Sequence, residues 1–154
     1  MASAPIAHPG RFAAPMVILP LLGIALVLAL FIVRPGLVVE VSLGDFMLVT
    51  LFLGGGAAWL TGRAVAKGWS PFWQVPVYCL LLTGAVRFCH FALFHGTLAF
   101  NTHAAVEFVL LVSIAALGFR SVRRRQMVER YEWLYEPAGV LAWRTRADGG
   151  DGAA

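Results

Sequence analysis

The chain has 154 residues, of which 60% are apolar and 13% charged, with a mean hydropathy of +0.79 and a formal net charge of +4. A soluble domain averages about 45–50% apolar and 25% charged residues, so these few charges cannot clothe a water-facing surface, and the length bounds the chain at about one domain. Seven of the twelve Lys and Arg residues fall after residue 119, which excludes a basic groove for nucleic acid and leaves lipid to cover the apolar surplus.

Crossing the ~30 Å hydrocarbon core takes about 20 apolar residues in a helix. The first such run is 12–33, between Arg11 and Arg34, with Pro15 and Pro20 near its start. It is longer than the ~7–15 apolar residues of a signal peptide, and no A-x-A-like cleavage site follows, so a retained helix is predicted. The second run, 45–66, is closed by Arg63 and Lys67. A third, 71–95, follows the aromatic cluster of Trp69, Phe72 and Trp73, and a fourth occupies 102–120. The remainder, 121–154, is a basic and aromatic tail, too polar and Gly-rich after about residue 147 to order itself. The fold class expected is all-α, a polytopic membrane protein with four transmembrane helices.

Orientation follows from the distribution of Lys and Arg at the span ends. With four spans, Arg11, Arg63, Lys67 and the seven tail arginines share one side, against Arg34 alone on the other. Segment 1–11 and the tail are therefore expected in the cytoplasm, with loops 34–44 and 96–101 on the opposite face. Cys79 and Cys89 lie ten residues apart on one predicted helix. That separation is ~15 Å, beyond the reach of a disulfide.

Thr50, Gly54, Ala58 and Gly62 recur every four residues on the second span, so they share one face. Small residues there allow close helix packing in lipid. The partner is either the third or fourth span, or another copy or protein; the sequence leaves both open.

Arg87 and Glu107 each interrupt an apolar run, and a charge at the bilayer centre costs ~2.5–3.5 kcal/mol even on the lenient insertion scale. Counting ~1.5 Å per residue from opposite faces puts both ~8 Å below the same boundary, so they are predicted to pair. His90 is three residues beyond Arg87 and His103 four before Glu107, each on the same helix face as its charge and nearer that boundary. Asp45 begins the second span at that level, and His95 and Asn101 flank the adjoining loop. The resulting polar pocket reads either as a structural network or as a site for a small molecule, a headgroup or a proton. His90, His103 and Glu107 are too scattered to make a metal motif, so neither metal nor cofactor is expected. No nucleophile elbow, Cys–His pairing or carboxylate pair appears within the spans, and an enzyme is not expected.

In the tail, Arg123, Arg124 and Arg125 sit just inside the fourth span, where they suit anionic headgroups. Met127, Tyr131, Leu134 and Tyr135 fall at i, i+4, i+7 and i+8, one apolar stripe if the helix continues. Trp133 and Trp143 add interfacial aromatics. The tail is predicted either to lie on the membrane or to dock a partner.

Three stretches, FLGGGAAWLTGRAVA, PFWQVPVYCLLLTGAVRFCHFALFHGTL and GFRSVRRRQMVERYEWLYEPAGVLAWR, resemble a family of small bacterial inner-membrane proteins described as a domain of unknown function. The resemblance covers roughly residues 44–145, includes Arg87, His90 and the segment 133–136, and leaves out the first span. It implies residence in the bacterial inner membrane and a genomic neighbourhood of branched-chain amino-acid ABC transporters, hence membrane transporter subunits as partners. It assigns no catalytic residue. The expected function is a non-enzymatic accessory or interaction subunit; the alternative is a small oligomeric transporter or ligand sensor using the Arg/His/Glu pocket. Partners weighed are the lipid bilayer, transporter subunits and a homo-oligomer, with no nucleic acid.

Overall fold

Four long helices dominate a computed structural model that describes residues 15–99 and 101–146. Helix α1 is Pro15–Val33, and Arg34 leads directly into a single turn, α2, Pro35–Val38. Helix α3 is Leu43–Lys67, α4 is Gln74–Phe94 and α5 is Thr102–Arg130. Each of the four is long and apolar enough to cross a membrane. Two short strands follow, β1 (Tyr135–Pro137) and β2 (Trp143–Thr145), paired antiparallel with Glu136 opposite Arg144. The expected segment 1–11 and the chain after residue 147 lie outside the described residues, as do the first three positions of the expected first span.

Helix starts follow local chemistry. Ser42 accepts the Asp45 amide and caps α3, and Asn101 accepts the Ala104 amide and caps α5; each satisfies an amide that the helix start leaves unpaired. α4 ends at His95, whose left-handed backbone (φ 58°) lets its amide and that of Gly96 both reach the His90 carbonyl.

Two features depart from the expected pattern. Residues Met47–Gly54 of α3 form a π-helix, in which the amide of Gly55 reaches back to the Thr50 carbonyl. Such wide turns shift the helix face and recur at functional sites. The second departure is α5, which continues ten residues past Arg120 to Arg130, making it about 43 Å long. The expected apolar stripe from Met127 to Tyr135 is not one helix face: the helix stops at Tyr131, and the chain turns back into the β-hairpin.

α5 is the centre of the bundle and packs most extensively against α3, then α1, then α4. Its contact with α3 explains the small-residue stripe. Ala58 is fully buried, and a Cβ on Gly62 would run into the Ala115 carbonyl of α5. Reciprocally, a Cβ on Gly118 would stand 2.5 Å from the Trp59 carbonyl. Gly54 faces Val86 and Leu111, from α4 and α5. The stripe is consumed inside the chain, so it offers no face to another copy. A core of Val49, Ala58, Val65, Val75, Cys79, Val86, Leu111, Ala115 and Phe119 runs along this junction. A second cluster joins α1 through Val27 to Val38, Phe46, Val106 and Leu110.

Candidate functional site

The buried face of α4 reads Val75, Cys79, Thr83, Val86, Arg87 and His90, a helical stripe that turns polar at one end. There it meets Thr50 from the π-helical segment of α3 and Glu107 from the second turn of α5. Arg87 and Glu107 are each 3% exposed. Their Nη1–Oε2 distance is 3.8 Å, an electrostatic contact longer than a hydrogen bond.

The principal partner of Arg87 is a residue that sequence reasoning missed. Arg87 Nη1 donates to Glu40 Oε2 at 2.6 Å, from the loop between α2 and α3. Its Nη2 donates to the Thr97 carbonyl (2.6 Å) and Thr97 Oγ1 (2.9 Å), with the Ala99 carbonyl at 3.4 Å. Thr97 closes the ring, because its hydroxyl (2.5 Å) and its amide (3.2 Å) both donate to Glu40 Oε1. Asn101 Nδ2 donates to the Thr97 hydroxyl at 3.3 Å. The guanidinium thus pins the loop before α3 to the loop after α4. Charge-assisted bonds with this forked geometry are the strong ones.

Burial by itself raises the Glu40 carboxyl, but the hydrogen bonds from Thr97 and Arg87 outweigh it and hold the group below the usual carboxylate range. The signal for Glu40 was present: apart from Asp45 it is the only acid before Glu107 in the chain. It lies outside every apolar run, where a solvated loop residue is the ordinary reading.

A second set of contacts lies deeper. Thr50 Oγ1 donates to Glu107 Oε1 at 3.2 Å and stands 2.9 Å from His90 Nε2. His90 Nε2 is 3.5 Å from the same carboxylate oxygen. With the Thr50 proton directed at Glu107, the hydroxyl accepts from His90 Nε2–H, giving a continuous line from imidazole to carboxylate. Glu107 Oε2, His90 Nδ1 and Arg87 Nε are buried without a hydrogen-bond partner among the described residues. Thr50 was expected only to pack helices; its small size does that, and its hydroxyl joins the polar line.

Two expected members do not join. Asp45 bonds Ser42, whose hydroxyl donates to it at 2.6 Å at the start of α3. His103, one turn before Glu107, makes no hydrogen bond or ion pair among the described residues. Among those residues no group of three or more His, Cys, Asp or Glu side chains is placed to hold a metal. Both terminal nitrogens of Arg87 are bonded within the chain, whereas its Nε–H has no partner among the described residues.

At the opposite end the basic cluster is partly internal. Arg123 donates to the Ser70 carbonyl at 2.8 Å, with its guanidinium over Trp69 (5.0 Å) and Phe119 (4.9 Å). It ties the α3–α4 connection to α5 and is not a free headgroup ligand. Arg120 stacks on Trp143 at 4.3 Å and donates to the Leu141 carbonyl at 3.1 Å, drawing the hairpin back along α5. Arg125 is exposed and pairs with Glu129 one turn on, while Arg124 is half-buried. Tyr131 packs edge-on against Trp133 and Tyr135. Trp133 remains 66% exposed and Val140, at the hairpin turn, 85%.

Comparison with known proteins gives one match: the model of the family described as Domain of unknown function (DUF6867) covers residues 41–146. That span takes in α3, α4, α5 and the hairpin with every residue of the polar cluster except Glu40, which directly precedes it; α1 lies outside. No curated protein and no solved structure matches the chain.

Proposed function

The chain belongs to the DUF6867 family of unknown function, and from its bundle and tail we propose that it is a non-enzymatic accessory subunit of a bacterial inner-membrane system. In this reading the four helices span the bilayer and both ends of the chain are cytoplasmic. The Arg and Lys asymmetry of the span ends supports that orientation. The Arg87–Glu40–Thr97 ring then sits at the outer face, and the hairpin at the inner one.

One observation carries the functional part: residues 121–146 of the tail form a built module. Arg120 and Trp143 clamp the hairpin to α5, Glu136 pairs with Arg144 across it, and Trp133 and Val140 stay exposed. An exposed tryptophan, packed against Tyr131 in a segment rich in arginine, has the composition of protein-binding hot spots. The buried charges argue for a holding role at the other end, because both terminal nitrogens of Arg87 are bonded to loops of the same chain. A branched-chain amino-acid uptake complex is the assembly suggested by the sequence resemblance. Affinity purification of the intact protein in mild detergent tests the reading. The expected result is a stoichiometric membrane partner that is lost on Trp133→Ala. Recovery of the chain alone, together with unimpaired amino-acid uptake in a deletion strain, would refute it.

A further inference from the structure

The buried polar cluster holds more acid than permanent base. Arg87 Nη1 is committed to Glu40 at 2.6 Å and stands 3.8 Å from Glu107. One guanidinium cannot balance two carboxylates. With both acids ionised and His90 neutral, the cluster therefore carries one net negative charge. The side chains of Arg87, His90 and Glu107 are each 3% exposed, and an uncompensated charge at that burial is strongly unfavourable. One proton removes it. We propose that the line Glu107–Thr50–His90 is a binding site for a single proton, which carboxyl and imidazole share through the Thr50 hydroxyl.

The geometry gives that proton two seats. Thr50 is fully buried, and its Oγ1 stands 2.9 Å from His90 Nε2 and 3.2 Å from Glu107 Oε1. A hydroxyl both donates and accepts, so it can carry the line in either direction. In one form Glu107 Oε1–H donates to Thr50, Thr50 donates to His90 Nε2, and the neutral ring keeps its proton on Nδ1. In the other, the Oε1–H bond has broken as a new Oγ1–H bond formed, and the former Thr50 proton has passed to Nε2. Carboxylate and imidazolium then face each other across the hydroxyl. Both forms leave the cluster neutral, and the exchange consumes nothing. His90 Nδ1 and Glu107 Oε2 have no hydrogen-bond partner among the described residues, so no other contact there fixes the tautomer or the state of the acid.

The neighbouring charged groups are engaged elsewhere or stand apart. Glu40, from the loop before α3, is bound to Arg87 and Thr97, and Asp45, at the start of α3, to Ser42. His95 is exposed at the end of α4, and His103 stands one turn before Glu107 on α5. Neither histidine forms an ion pair with the cluster among the described residues.

Solid-state NMR of the full chain, labelled with carbon-13 and nitrogen-15 in phospholipid liposomes at about pH 7.5, tests this without a substitution, above the ordinary range of both groups. Cross-peaks to Thr50 assign the Glu107 carboxyl and the His90 ring. Expected is one proton on the pair: a protonated carboxyl beside a neutral ring, a carboxylate beside an imidazolium, or an average of the two. A carboxylate beside a neutral ring overturns the site, and so does a protonated carboxyl beside an imidazolium. Missing contacts from Thr50 to either group overturn the line itself. Thr50→Ser, which keeps the hydroxyl, should leave both signals in place, whereas Thr50→Val should move them together. Signals that stay put in Thr50→Val, or a His90 signal that moves with no answering change at Glu107, overturn the sharing.

Discussion

Replacing Gly62 by alanine adds one methyl group, and the bundle leaves it nowhere to go. The new Cβ would overlap the Ala115 carbonyl oxygen, stand 2.7 Å from its carbon and 3.0 Å from Cα. These are backbone atoms of the central helix, so no rotamer change relieves the contact. Restoring ordinary separation requires α3 and α5 to part by more than about 1 Å. A gap of ~0.5–1 Å already forfeits a quarter to a half of the attraction at each atom pair. That loss extends along the seam through Ala58, Val65 and Phe119. Overpacking costs ~1–3 kcal/mol, and the better helix propensity of alanine returns up to ~1 kcal/mol. With a rigid backbone on both sides the net should fall at about 2–3 kcal/mol, or roughly 30- to 150-fold in the folding equilibrium. Reversible unfolding by titration with sodium dodecyl sulfate, followed by tryptophan emission, measures it. Gly56→Ala is the control, since nothing lies within 4 Å of its added Cβ; it should be neutral or slightly stabilising. If Gly62→Ala and Gly56→Ala unfold within ~0.5 kcal/mol of each other, the helix seam is not where it is described. Gly118→Ala should be costly alone but less than additive with Gly62→Ala, because one separation of the helices relieves both.

Glu40→Gln should destabilise the bundle by about 2–3 kcal/mol, because it strips a buried guanidinium of its nearest counter-charge. Glu107→Gln should cost less, since Glu107 stands farther from Arg87 and glutamine still accepts from Thr50; equal losses in the same titration would contradict this ranking. Because the folded state holds Glu40 below the usual carboxylate range, its contribution is present above the unfolded-state pKa and is lost as pH falls through the folded one. Unfolding profiles should therefore show a loss below about pH 4 that Glu40→Gln abolishes. Thr50→Val keeps the shape and removes the hydroxyl between His90 and Glu107; a cost of ~1–3 kcal/mol is expected from the buried groups it leaves unpaired. Trp143→Ala removes the Arg120 stack, worth ~0.5–2 kcal/mol, and should speed hydrogen exchange at Arg144 and Thr145 while leaving α4 unchanged.

The four long helices were legible because hydropathy and length record them directly, and their ends shift by only a few residues, except that the last runs ten residues past Arg120. The level of Arg87 against Glu107 was legible too, since a helix converts residue counts into depth. What the counting could not weigh is rotation and loop path. Arg87 faces outward enough to take Glu40 and Thr97 first, and both reach it from connections that carry no periodic signal. Asp45 was the loop-end acid expected at that level, but three residues after Ser42 it is drawn into the start of its own helix. The π-helical turns of α3 leave no compositional trace, although they fix where Thr50 points. In the tail, the apolar spacing was read as a helical stripe, and the hairpin was not foreseen. Tyr131 ends the helix, and the stack of Trp143 on Arg120 is a long-range contact that local propensity does not contain.

Glu40 precedes Arg87 in the chain, whereas Glu107 follows it, and this order bears on biogenesis. In the membrane-spanning reading proposed above, synthesis from the N-terminus would carry Glu40 across the bilayer before Arg87 entered it. The counter-charge for that cation would then be in place before the last helix is synthesised. The last helix is also the hub on which all the others lean. The packing of the bundle is therefore complete only once that final segment is made.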